Sequence, residues 1–321
     1  NDNMFIMSKG SKMLLSLMYS VVILIIGLFL FKWQGNQVID GVYVIIILVH
    51  AIRLLWTKEE VREDWCFLRF IDNHCHLFHE YFPSYDDYIN KANNVNVTKI
   101  IVSGTDKKSN QEVLSLISKY EGVYGSIGFH PNELEDLDET SFALLESQLK
   151  TNKKIVGIGE IGLDYHYPDT DKEKQKKFFI YQLELANKYN LPVVIHSRDA
   201  TSDTISLLRE HLPNKRGVIH CFSGSLESAN EYIKMGFFIG VGGVSTFKNA
   251  NNIINVIKNI SLHKILLETD APYLTPEPYR GTPNYSAYIP IIADKIASIK
   301  GLSLEEVAEI TTANSESLFD F

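Results

Sequence analysis

Five short apolar runs in this chain each lead into residues that bind metal ions, and that recurrence restricts the fold more than any other feature. The segments read Asp72-Asn73-His74-Cys75-His76, Gly159-Glu160-Ile161-Gly162, Ile195-His196-Ser197-Arg198-Asp199, Ile219-His220-Cys221-Phe222 and Glu268-Thr269-Asp270-Ala271. The preceding runs are brief and β-rich, as in Pro192-Val193-Val194-Ile195 before His196 and Ile265-Leu266-Leu267 before Glu268. Each reads as a buried strand. A lone histidine at a strand end is more often packed or hydrogen-bonded than a ligand, but repetition of the placement weighs against that explanation. Four imidazoles and two carboxylates so distributed are the donor set of a two-metal hydrolytic site.

From Phe67 to Phe321 the sequence alternates such runs with longer amphipathic stretches. The expected strands are Phe67–Asn73, Lys99–Ser103, Val123–Phe129, Ile155–Glu160, Pro192–His196, Gly217–His220, Phe237–Val241 and Ile265–Glu268. The stretches between them read as helices. In Lys172–Tyr189, for instance, Phe179, Leu183 and Ala186 share one face and Leu191-Pro192 follows as a stop. Strands and helices alternating in this number over about 250 residues predict an α/β fold, a (β/α)8 TIM barrel, with its site at the C-terminal face. Parallel strands deliver all their C-terminal ends to that face, so ligands scattered from 74 to 270 converge. Two last helical patterns, Ser303–Ile310 and Thr311–Phe319, read as a seal over one end.

Residues 1–66 hold six Lys/Arg and six Asp/Glu, so the whole net charge of −8 lies in residues 67–321. That excludes a broad basic surface for tracking duplex DNA, but not a polyanion held locally by metal ions. The three cysteines, Cys66, Cys75 and Cys221, lack CxxC spacing, which argues against a zinc knuckle or a disulfide framework. Strand alternation would turn Cys75 and Cys221 away from the ligand face, as buried packing residues.

Residues 1–66 read as a separate hydrophobic helical segment with one or two transmembrane helices across 13–56. Met13–Phe31 is a 19-residue uncharged run, long enough to span a bilayer; Val38–Trp56 is weaker, since it contains Asp40, His50 and Arg53. Lys9 and Lys12 before the first run, and Arg53, Lys58 and Arg62 closing the second, favour a hairpin with the barrel membrane-associated on the cytoplasmic side. A cleaved secretory leader, or a soluble cytoplasmic or nuclear protein if the segment is an artefact, are the alternatives.

The quoted motifs, together with Gly128-Phe129-His130-Pro131, Leu163-Asp164-Tyr165 and Pro272-Tyr273-Leu274, resemble in order the TatD family of metal-dependent hydrolases within the amidohydrolase superfamily. The resemblance runs from Phe70 to Phe319. It implies a TIM barrel with two divalent metal ions (Mg²⁺, Mn²⁺ or Zn²⁺) and deoxyribonuclease activity, often 3′→5′ exonucleolytic, with single-stranded DNA or 3′ ends as partner and no obligate protein partner. Carried over by position, His74, His76 and Asp270 hold one metal, His196 and His220 the second, and Glu160 bridges them. A bridging anion offsets repulsion between two close dications, and Asp270 is the group placed to take a proton from water. Arg198 fits a phosphate clamp, with a salt bridge to Asp199 as the plainer alternative. His130 has no metal role in this scheme and is assigned to substrate phosphate or to support of a ligand. Arg280 and Asn284 fall in the family's substrate loop, although Arg280-Gly281-Thr282-Pro283-Asn284 gains Pro283. His166 reads as an ordinary surface residue.

Two other functions fit the same ligands: an esterase or deacylase acting on aminoacyl-tRNA, since attack at carbon or phosphorus uses the same metals, and a non-catalytic membrane-tethered module. The second is disfavoured because no ligand is missing. On ligand softness, mixed nitrogen and oxygen donors suit Zn²⁺, Mn²⁺ or Co²⁺ better than Mg²⁺.

Overall fold

Strands this apolar must be covered on both faces, and every residue of β1 (Phe70–Cys75), of the ten-residue β4 (Ile155–Asp164), of β6 (Gly217–Ile219) and of β8 (Ile265–Leu267) is buried. The computed structural model describes residues 68–321. With β2 (Val97–Ser103), β3 (Val123–Ile127), β5 (Val193–Arg198) and β7 (Phe238–Val241), these strands form one eight-stranded sheet in the order β1 to β8. Each pairs in parallel with the next. Helices α1 (Tyr85–Asn93), α2 (Lys107–Lys119), α3 (Glu139–Thr151), α4 (Lys172–Tyr189), α5 (Thr201–Glu210), α6 (Leu226–Lys234) and α7 (Asn251–Asn259) alternate with the strands, and α8 (Ile289–Lys300) and α9 (Leu304–Leu318) follow β8.

The helix α4 spans the residues its pattern predicts. Asp171 caps its start by accepting the Lys174 amide at 3.0 Å, and Asn190 ends it in the left-handed region at φ 51°. β4 outruns its expected end at Glu160 and reaches Asp164. Its Gly162, at φ +141°, passes so close to β5 that a Cβ there would lie 2.0 Å from the His196 carbonyl oxygen. The two expected C-terminal helices are one, α9. A capping box of Ser303 and Glu306 starts it, and it runs on through the expected boundary, where Thr311 donates to the Val307 carbonyl and Thr312 to that of Arg69.

Two apolar cores result. The larger lies between strands and helices. The smaller fills the barrel with Ile101, Val156, Val194, Val218 and Leu266, and Leu318 and Phe319 from the end of α9 pack against them, so the expected seal is present at the end opposite the strands' C-termini. Where β8 meets β1, the regular ladder gives way to an isolated Cys75–Ala271 bridge and to side-chain bonds. Asn73 donates to the Leu267 carbonyl at 2.8 Å, and the Asp72 carboxylate accepts the Thr269 amide and hydroxyl at 3.0 and 2.6 Å.

The expectation of membrane association is corrected. No helix of the described residues is long and apolar enough to cross a membrane, and residues 13–56, on which that expectation rested, lie outside the described residues. Within the barrel, Phe319 is 1% exposed. Phe319→Ala is expected to lower the unfolding free energy by about 3–5 kcal/mol, measured as a shift of the denaturant midpoint.

Candidate metal centre

The strand ends bring His74, His76, Glu160, His196, His220 and Asp270 to one point at the floor of a cleft of about 1060 Å³. Four donor atoms stand on one side of it. His74 Nε2 and His76 Nε2 are 3.2 Å apart; each lies 3.5 and 3.4 Å, respectively, from Glu160 Oε2, and 3.6 and 3.5 Å from Asp270 Oδ1. A tetrahedral ion with bonds of about 2.0–2.1 Å needs edges of roughly 3.3 Å, so these residues fit a cation without rearrangement. The other carboxylate oxygen, Glu160 Oε1, faces the remaining pair: His220 Nε2 at 2.7 Å and His196 Nδ1 at 2.9 Å, themselves 3.4 Å apart. Glu160 thus presents one oxygen to each set. The second set has three donors and an open side, as a reacting site requires.

The rings of His74, His76 and His196 are held by their far nitrogens. His76 Nδ1 donates to the Ser103 carbonyl at 3.0 Å, which can only accept, so its Nε2 lone pair is turned to the centre. His74 Nδ1 meets the Ser103 hydroxyl at 3.0 Å, and His196 Nε2 is bound by Asp164 Oδ2 at 3.2 Å. His220 Nδ1 and Glu268 Oε2 are both buried without a partner, and 4.0 Å separates that nitrogen from Glu268 Oε1. Such partners fix the tautomer of a ligating imidazole and raise its basicity.

Asp164 and Ser103 were missed as supporting residues. Asp164 left a signal, since strand alternation from Glu160 places 162 and 164 on its side of the sheet; Ser103 left none. Glu268, quoted within a motif but given no role, is buried beneath Gly240, where a Cβ would meet its Oε2 at 2.4 Å.

The six groups interact strongly with one another. Burial disfavours the ionised form of Glu160, but the imidazoles of His220 and His130 and the bonds from His196 and His220 outweigh it and hold the carboxyl well below its ordinary range. Burial likewise opposes charge on His196, yet its bonds to Asp164 and Glu160 raise it to about 9. Protons on imidazole therefore balance Glu160 where cations fit. Burial pushes Glu268 up to about 8 and His130 down to about 4.

The other assigned residues divide. His130 lines the cleft with Nε2 3.5 Å from Glu160 Oε1. Its Nδ1 accepts the Asn132 amide at 3.1 Å, so in the neutral ring Nε2 carries the proton and acts as a donor. His130, Asp164 and His196 also form a close group, but these bonds make it a hydrogen-bonded support. Arg198 is exposed at the end of β5 and lines the cleft; Asp199 pairs with the exposed His166 at 3.2 Å.

Arg280 and Asn284 take other positions. The Arg280 guanidinium lies over the Phe247 ring at 4.2 Å and is not part of the cleft lining. Asn284 is fully buried, donating to the Thr269 and Tyr273 carbonyls and accepting the Tyr285 amide, and so braces the loop from within. Cys75 is buried as expected, but Cys221 lines the cleft. β6 ends at Ile219 and Cys221 takes φ 45°, so strand alternation does not apply to it. Burial and the carboxylates of Asp270 and Glu268 push its thiol well above its ordinary range.

Comparison with known proteins agrees with this geometry. A family profile described as TatD related DNase matches residues 71–320. The chain is 40% identical over 250 residues to the uncharacterized metal-dependent hydrolase YabD of Bacillus subtilis, covering 77% of this chain and 98% of that protein. The crystal structure of the TatD homolog YjjV from Escherichia coli superposes with TM-score 0.75 at 34% identity, covering 79% of this chain and 99% of that one. A TatD family hydrolase from Entamoeba histolytica gives TM-score 0.70 at 28% identity, covering 78% and 98%.

Because protons and cations compete for the same nitrogens, metal uptake at pH 7 is expected to release protons, and apparent affinity should rise as pH increases toward the His196 value of about 9. Calorimetric titration of the metal-free protein in buffers of different ionisation enthalpy measures the number released.

Proposed function

The chain belongs to the TatD family of metal-dependent hydrolases, and from that premise we propose that it hydrolyses phosphodiester bonds of DNA at a two-metal centre, as a 3′→5′ exonuclease. The observation that carries the reading is the division of Glu160, with Oε2 toward His74, His76 and Asp270 and Oε1 toward His196 and His220. In this assignment His74, His76 and Asp270 would hold one ion and His196 and His220 the other, with Glu160 shared between the two sets. Divalent ions at such a centre supply Lewis acidity and make water a nucleophile near neutral pH.

The chain's own residues do the rest. Asp270 lies beside His74 and His76 and its side chain is 15% exposed, which suits it to take a proton from water. His130 offers a neutral Nε2–H to a phosphate oxygen, with the tautomer set by Asn132. Arg198 has no ion-pair partner among the described residues that would hold it from the cleft, and it reaches toward a phosphate as a planar charged donor. Asp164 keeps His196 turned so that Nδ1 is the nitrogen presented.

The test is a side-by-side assay on single-stranded DNA and aminoacylated tRNA, after chelation and with Mg²⁺, Mn²⁺, Co²⁺ and Zn²⁺ in turn. Metal-dependent release of nucleotides from 3′ ends supports the reading; deacylation without DNA cleavage replaces it with the ester reading. Glu160→Gln is expected to abolish turnover and lose one equivalent of metal with the fold intact, whereas full activity with both ions bound would remove the bridging assignment. Asp270→Asn should lower kcat by about 10²–10⁴-fold with a much smaller change in KM.

A further inference from the structure

The rim of the cleft carries three tyrosines that the hydrolytic groups leave unexplained. Tyr81, Tyr167 and Tyr273 line it with 38%, 54% and 49% of their surface exposed. Tyr81 lies in the loop after β1 and Tyr273 in the loop after β8. Their rings meet edge to face, 5.8 Å apart at 69°, and the Tyr273 hydroxyl donates to that of Tyr81 at 2.8 Å. The Tyr81 amide donates to the Phe78 carbonyl at 3.0 Å and that of Tyr273 to the Asp270 carbonyl at 2.8 Å. Each ring is therefore fixed by its own loop and by the other. The Tyr273 ring is 6.2 Å from the His76 imidazole, so the pair borders the metal-ligand cluster directly.

The charges around the pair limit what can lie on it. Glu80, Asp106, Glu112 and Glu133 line the cleft, while Lys108 and Arg198 are its basic side chains. A duplex end would bring a second row of phosphates against that acidic rim. One strand, gripped at a single phosphate, meets it least. A nucleobase next to that phosphate needs an exposed ring face beside the centre, and stacking requires that the base be unpaired.

We propose that Tyr81 and Tyr273 form a stacking subsite for one unpaired nucleobase adjoining the phosphate that is cut. The inference rests on the DNA-cleavage reading above and specifies its substrate as the terminal nucleotide of a single strand. Every base has a π-face, so the subsite selects for a base free to stack and is tolerant of which base it is.

The experiment compares full-length protein on two single-stranded oligonucleotides, one intact and one with a tetrahydrofuran abasic residue at its 3′ end. The intact strand should be cleaved with kcat/KM about tenfold or more higher, the size of one base–aromatic stack. In the double variant Tyr81→Ala/Tyr273→Ala the ratio should fall toward one, and Tyr273→Phe, which keeps the ring, should preserve it. Equal cleavage of the two strands by the unaltered protein, or a ratio that survives loss of both rings, overturns the subsite. A second arm needs no turnover: with metal chelated, 2-aminopurine at the 3′ end should lose fluorescence on binding, and the double variant should abolish that quenching. Quenching that depends on the rings but is accompanied by no cleavage with any metal supports the subsite and removes the cleavage reading. Cleavage that does not distinguish the intact from the abasic strand removes the subsite alone.

Discussion

Everything at the cleft depends on β1 staying beside β8, and one carboxylate carries much of that closure. Asp72 is completely buried, yet it accepts the amides of His74 and Thr269 and the hydroxyls of Thr269 and Ser286. Burial lifts its carboxyl to about 6, and the four bonds pull in the opposite direction. A buried anion with four donors is costly to disturb, because each donor would lose its partner along with the charge. The seam it closes has His74 and His76 on one side and Asp270 on the other. The Asp270 amide donates to the His74 carbonyl, and the His76 amide to that of Ala271. Barrel closure and ligand spacing are therefore the same set of bonds.

Glu160 then governs the charge balance of the site. Its carboxylate sits among histidines that are themselves held by Ser103, Asp164 and Asn132, so the protein's own bonds set the ring orientations. Preorganisation of that kind lowers the cost of binding and fixes which lone pair each ring presents.

The ligands were legible because strand ends in a parallel barrel share one face, so sequence position translates directly into location. α4 was legible for the same local reasons: a periodic apolar face, a cap and a proline stop. What the sequence did not disclose depends on tertiary direction. Asn284 and Arg280 lie near the site along the chain, but the loop turns one into the protein and lays the other on Phe247. The two expected C-terminal helices are one, and Thr311 and Thr312 bond to Val307 and Arg69 where the boundary was placed. Cys221 escaped the alternation argument because its strand had already ended. Tyr81 and Tyr273 lie 192 positions apart, and their hydroxyl contact exists only across the closed seam.

The acidic rim has a kinetic consequence. Glu80, Asp106, Glu112 and Glu133 line the cleft, and a field of that sign draws dications inward and repels polyanions. Dissolved salt weakens both effects. At this cleft dications and polyanions therefore answer ionic strength in opposite senses: a dication arrives fastest in dilute buffer, and a polyanion is repelled least in concentrated buffer.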